Sequence, residues 1–145
     1  MQIDLIDMRH RPDGPYHWIG HFMDHWSKMH VLFPLMHKSA KEVALNLYTK
    51  VFAYFGPPKI LQSDNGREFV NSTVRNLVEA WPGEITIING RARHPQSQGL
   101  VERGNAKVEE MLACHFNTSC GGGASSASWT TWLPEIQCKC EIQCM

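Results

Sequence analysis

A chain of 145 residues, 43% hydrophobic and 19% charged, has enough apolar material for one packed domain and too little length for two. Lys and Arg equal Asp and Glu at 14 each, so the formal charge is zero; this argues against a domain that holds nucleic acid by bulk electrostatics and confines any such contact to a local patch. No run approaches the ~20 apolar residues of a membrane span, and Met1 to His10 carries Asp4 and Asp7 in place of a leader's apolar run, so an intracellular chain whose five cysteines are thiols is expected.

Ile3 to Met8 reads as a short buried strand, ended by the turn signal Arg11-Pro12-Asp13-Gly14-Pro15. Tyr16 to Met23 reads as a second strand, with Tyr16, Trp18, Gly20 and Phe22 on one face and His17, Ile19, His21 and Met23 on the other. Met29 to Leu35 alternates again, and the short connections predict an antiparallel three-stranded meander. The period then changes. Ser39 and Glu42 have capping-box spacing, and Val43, Leu47, Val51 and Phe55 recur at helical spacing until Gly56-Pro57-Pro58.

Lys59 to Ser63 is a fourth strand leading into Asp64-Asn65-Gly66, Ser72 to Trp81 a second helix, and Ile85 to Ile88 a fifth strand. A polar loop from Gly90 to Gln98 precedes a third helix that reaches about His115, with the stripe Val101, Gly104, Val108, Met111 and Leu112. This order predicts an α/β domain over residues 1–116: a five-stranded mixed sheet, the meander plus two parallel strands, flanked by helices. Residues 117–128 read as a Gly/Ser-rich flexible linker, and 129–145 as a truncated C-terminal helix with Trp132, Ile136 and Cys140 in register.

Three carboxylates stand out by context. Asp4 lies inside an apolar strand, where a charge is costly unless a metal or partner compensates it. Asp64 lies where a strand runs out into a turn, and Glu102 sits about 140° around its helix from the apolar stripe. Each alone has an ordinary structural reading, as turn chemistry, helix-dipole chemistry or an acid near a strand end. His17, His21 and His25 read as strand and surface positions rather than a metal set.

The strings around these acids are more specific. LQSDNGREF (61–69), HPQSQGLVERGN (94–105) and MQIDLIDM (1–8) resemble the catalytic-core segments of retroviral and gypsy-type retrotransposon integrases, with 37 residues between Asp64 and Glu102, near the family's D,D-35-E spacing. FGPPKILQSDNGREF (55–69) is similar to gypsy-like integrases of animal genomes, including host-captured copies. The resemblance runs from residue 1 to about 116. It implies a ribonuclease H-like fold, with Asp4, Asp64 and Glu102 as catalytic residues that hold two Mg²⁺ or Mn²⁺ ions. It also implies DNA-end processing and strand transfer, because a metal pair can serve both the attacking and the leaving oxygen of a phosphoryl displacement.

By the same resemblance, the DNA-binding candidates are Arg67, Arg91, Arg93, Gln96, Gln98, Arg103, Asn105 and Lys107. The implied partners are element ends and target DNA, a second copy of the chain in a homodimer or higher multimer, and no membrane; the implied location is nuclear. Where retroviral members carry helix lysines four and seven residues past the glutamate, this chain has Ala106 and Glu109. That departure and the neutral charge leave room for another reading, a domesticated, catalytically inactive DNA- or protein-binding domain, against which the intact acids argue.

Overall fold

The computed structural model describes residues 1–63, 72–81, 85–89, 95–119 and 128–142, with the side chains of 72–73, 89, 95–101, 118–119 and 141–142 excepted. Three strands open the chain, β1 (Gln2–Asp7), β2 (Trp18–Met23) and β3 (His30–Leu35). They form the expected meander, with Asp4 opposite His21 and His21 opposite Leu32. Two further strands, β4 (Ile60–Ser63) and β5 (Thr86–Asn89), join in parallel, giving the order β3-β2-β1-β4-β5. β1 is therefore central, and Gln2 is the register partner of Gln62 in β4.

Alternation along each strand sends side chains to two separate cores. On one face Ile3, Phe22, Val31, Phe33 and Leu35 pack against α1 (Ala40–Asn46), the π-helical stretch Leu47–Phe52 that continues it, and α3 (Ser72–Ala80). On the other, Ile6, Ile19 and Leu32 pack against α4 (Pro95–Ser119) and α5 (Trp129–Ile142). Each fully buried Leu, Ile or Phe in these cores contributes about 1.5–3 kcal/mol. Gly20 is required by close approach, since a Cβ there would collide with the Phe33 ring across β2 and β3.

Several local expectations change. The run Val43, Leu47, Val51, Phe55 holds only to Val51; Phe52 is buried and Phe55 half-exposed, because the wider π turn shifts the inward position by one residue before the last turn, α2 (Ala53–Phe55). The capping box is half made. Glu42 N–H donates to Ser39 Oγ at 3.3 Å, but the Glu42 carboxylate accepts from Met36 and His37 N–H at 2.6 and 2.8 Å. Residues 95–98, expected in a loop, belong to α4, which also runs past His115 to Ser119. Tyr16 precedes β2, held by a bridge to Asp13, and packs beside the second core rather than with Trp18.

The edge strand β3 contains Pro34, tolerable where no neighbour needs its missing N–H. Helix α5 packs over this strand, and Gln137 Oε1 accepts from Leu32 N–H at 3.0 Å. Trp129, Leu133, Ile136 and Cys140 of α5 are all buried in the second core. The helix start is pinned from afar: Asp13 Oδ2 accepts from Thr130 N–H (2.9 Å), Thr130 Oγ1 (2.7 Å) and Ser128 Oγ (2.7 Å). Burial pushes the Asp13 carboxyl pKa up, but these bonds to its ionised form prevail and hold it below the ordinary value. Among the described residues, no helix is long and apolar enough to cross a membrane.

Candidate active site

Of the acids near the start of the chain, three have structural employment. Asp7 is bound bidentately by Arg9, whose hydrogen bonds draw its pKa down to about 2. Asp13 caps α5, as above. Asp24 accepts from Ser27 N–H and Ser27 Oγ in the β2–β3 turn; burial raises its pKa, and these bonds outweigh that and lower it.

Asp4 is different. It projects from the central strand toward α4, half-buried, with Oδ1 accepting from the N–H of Leu5 at 2.8 Å and Oδ2 accepting from Asn105 Nδ2–H at 2.7 Å. Asn105 belongs to α4, three residues beyond Glu102. Residues i and i+3 share a helix face, so the Asn105–Asp4 bond docks the Glu102 turn of α4 against the Asp4 end of the sheet. Glu102 itself is exposed, consistent with its position away from the apolar stripe of Gly104, Val108 and Leu112, all buried.

Behind Asp4 the polar contacts continue inward. Asn105 Oδ1 lies 2.6 Å from His21 Nδ1, and His21 Nε2 lies 2.8 Å from His30 Nδ1. His21 and His30 are 1% and 2% exposed, and their ring planes are inclined by only 14°. His21 is a strand position, as its alternation with Ile19 and Met23 predicts, and it faces the second core. Burial pushes its pKa down, against raising effects from Asn105 and the Asp4 charge. For His30, burial, then the charges of His21 and Lys107, bring the pKa to about 4. The signal for this pair was available in strand alternation: His21 shares a face with Ile19 and Met23, and His30 shares one with Leu32.

α4 can lie this close because residue 104 is glycine. A Cβ there would stand 3.0 Å from His21 Cε1, 3.4 Å from Met23 Sδ and 3.5 Å from His30 Cε1.

The remaining candidates separate clearly. Asp64, Arg67, Arg91 and Arg93 lie outside the described residues, and the side chains of Gln96 and Gln98, at the start of α4, are likewise outside them. Arg103 is exposed on α4 beside Glu102. Lys107 is half-buried and donates from Nζ to the Cys140 carbonyl of α5 at 3.3 Å, so it ties two helices together.

The donors at Asp4 suit a hard divalent cation. Among the described residues each carboxylate oxygen accepts one hydrogen bond, a carboxylate oxygen can accept more than one, and oxygen is the ligand Mg²⁺ prefers.

A model of the integrase core domain family matches residues 1–95. The chain belongs to the integrase core domain family. It is 36% identical over 121 residues to KRAB-A domain-containing protein 2 of Homo sapiens, covering 82% of this chain and 24% of that protein. It is 31% identical over 138 residues to the Gag-Pol polyprotein of Feline leukemia virus, covering 93% of this chain and 7% of the polyprotein. With the retrovirus-related Pol polyprotein from transposon 412 of Drosophila melanogaster it shares 30% identity over 107 residues, 74% of this chain and 8% of that one. The integrase core thus spans about a quarter or less of the curated relatives it matches.

The fold agrees. The catalytic core domain of BIV integrase superposes with a TM-score of 0.69 at 21% identity, covering 98% of this chain and 80% of that one. The five-stranded mixed sheet and its flanking helices are therefore ribonuclease H-like, as the sequence strings imply.

Proposed function

We propose that this integrase core processes DNA ends and transfers them to target DNA by metal-dependent phosphoryl transfer, with Asp4, Asp64 and Glu102 as the ligand set. The observation that supports the reading best is the 2.7 Å bond from Asn105 to Asp4, which ties the helix turn bearing Glu102 to the strand bearing Asp4. The strand pairing adds to it: Gln2 pairs with Gln62, so the strand that carries Asp4 runs parallel to β4 and beside it. When bound, two Mg²⁺ or Mn²⁺ ions would supply Lewis acidity at the attacking and leaving oxygens of the phosphodiester. The chain's own part is to orient the Asp4 carboxylate, to present Glu102 at the helix surface, and to hold the DNA backbone.

For that last task Arg67, Arg91, Arg93, Gln96, Gln98 and Arg103 are the proposed contacts, with DNA ends and target DNA as partners. A second copy of the chain, in a dimer or higher multimer, and a nuclear location belong to the same proposal, since two ends must be joined in concert. Because the chain is formally neutral and Lys107 is spent on Cys140, DNA binding is expected to be weak and salt-sensitive.

The test is a nicking and strand-transfer assay with Mn²⁺ and Mg²⁺ on labelled duplex ends, beside Asp4→Asn and Glu102→Gln. Trace metal-dependent nicking, reduced by about 100-fold or more in both variants, is the expected result. A folded chain whose slight nicking survives Glu102→Gln would refute the assignment. Lys107's engagement with α5 favours a second reading, an inactive DNA- or protein-binding integrase derivative, and DNA binding with no metal-dependent cleavage would select it.

A further inference from the structure

The contacts behind Asp4 have only one consistent direction. An ionised carboxylate only accepts, so Asn105 presents its NH₂ to Asp4 Oδ2 and its carbonyl oxygen to His21. His21 must then carry its proton on Nδ1, which in a neutral imidazole leaves Nε2 as an acceptor. That acceptor is met at 2.8 Å by His30 Nδ1, which must donate. Each group in the series gives a hydrogen bond toward Asp4, and Asn105 and His21 each receive one from the group behind. Burial of both rings favours the neutral forms the series needs.

We infer that His30 and His21 form a buried, one-way hydrogen-bond relay that locks the Asn105 amide with its NH₂ toward Asp4, making His21 a positioning residue for the candidate metal-binding carboxylate. An asparagine between two partners of unfixed polarity can rotate its amide by half a turn at little cost, and it would then aim an oxygen at the carboxylate. Here that rotation would oppose two acceptors at Asp4 and two donors at His21 simultaneously. Buried polar chains whose members are all satisfied specify a single arrangement. Gly104 completes the device by letting α4 settle onto both imidazoles. The role of Asp4 as a ligand comes from the proposed function above, whereas the direction of the relay does not depend on it.

The first measurement uses the unmodified, metal-free chain near pH 7.5, where long-range ¹H–¹⁵N spectra distinguish imidazole tautomers. Nδ1–H on both His21 and His30 is expected; Nε2–H on His21 would overturn the relay whether or not a metal ever binds. The second compares His21→Leu, which removes donor and acceptor, with His21→Gln, whose amide can both donate and accept. Removing the support of a ligating carboxylate is expected to weaken Mn²⁺ binding by about 10-fold in His21→Leu, with recovery to within about twofold in His21→Gln.

Solvent exchange of the Asn105 side-chain amide should accelerate in His21→Leu and recover in His21→Gln. If His21→Leu does not fold, His30→Leu replaces it as the donor-deficient variant. Unchanged amide exchange and Mn²⁺ affinity in a folded donor-deficient variant would sink the inference. Failure of the unmodified chain to bind Mn²⁺ would instead refute the proposed function, leaving the tautomer and exchange results to decide the relay.

Discussion

On one face of the sheet Phe22, Phe33, Leu35, Val43, Leu47 and Phe52 interlock beneath α1 and the π-helical stretch, an apolar core of aromatic and branched side chains. On the other face, Ile19, Leu32, Val108, Leu112 and Trp129 form a second core, and beside it the imidazoles of His21 and His30 are sunk between the strands and α4. The first face does what any hydrophobic layer does. The second combines apolar packing with directional hydrogen bonds, and its polar members end on Asp4. The lesson is that the two faces share the work unequally: one supplies stability, the other accepts the risk of buried polar groups and gains a fixed carboxylate.

That division can be broken at its strongest point first. Leu47→Ala on the apolar face should cost about 3 kcal/mol, read as a lower denaturant midpoint at an unchanged slope. A loss below about 1 kcal/mol would mean that the site collapses freely and that the face is not closely packed.

The polar face should reveal itself by pH. His30 in the folded state titrates near 4 against an ordinary 6.5, and His21 is shifted in the same direction. Between these values the unfolded chain binds more protons than the folded one. The stabilising effect is therefore fully present above about pH 6.5 and is lost as pH falls toward 4. The charges facing the pair are Asp4 on β1, across Asn105, and Lys107 on α4; the first favours protonation and the second opposes it. The loss from His30 alone should be on the order of 2 kcal/mol between pH 6.5 and 5, and it should shrink in His30→Leu relative to that variant's own neutral-pH stability. Leu47→Ala should leave the pH slope untouched.

Asp13→Ala removes three acceptor contacts at the start of α5 and should cost about 1 kcal/mol, visible as a lower thermal midpoint. The smallest effect separates packing from propensity. Gly104→Ala gains up to about 1 kcal/mol of helix propensity but presses a methyl group against His21, which is held at both nitrogens and cannot yield. A net loss of about 0.5 kcal/mol is expected, turning into a gain in a His21→Ala background; additivity across that double-mutant cycle would show that the close approach has no energetic consequence.

What the sequence disclosed follows from how local each determinant is. The meander was readable because alternation in Trp18–Met23 and His30–Leu35 is written within six residues, and α1 because its cap and apolar stripe are adjacent in sequence. Asp4 and Glu102 were singled out by their immediate strings, and the strand that carries Asp4 lies at the centre of the sheet. The bonds that organise the site were not. His21 meets Asn105 across 84 positions, Asp13 meets Thr130 across 117, and neither periodicity nor a short motif encodes such a meeting. The π turn at Leu47–Phe52 was missed for another reason: it changes the repeat on which the helix reading depends.

The contact between Gln137 and Leu32 has a consequence beyond holding α5 in place. β3 is the margin of the sheet, and a margin with free main-chain donors and acceptors is a template on which a foreign strand, or the same strand of another molecule, can grow. A side-chain amide engages one of those donors, Pro34 removes another, and the helix above limits approach from one side. The helix thus also acts as a guard against strand recruitment, and loosening it would cost the molecule its colloidal behaviour before it cost the sheet its order.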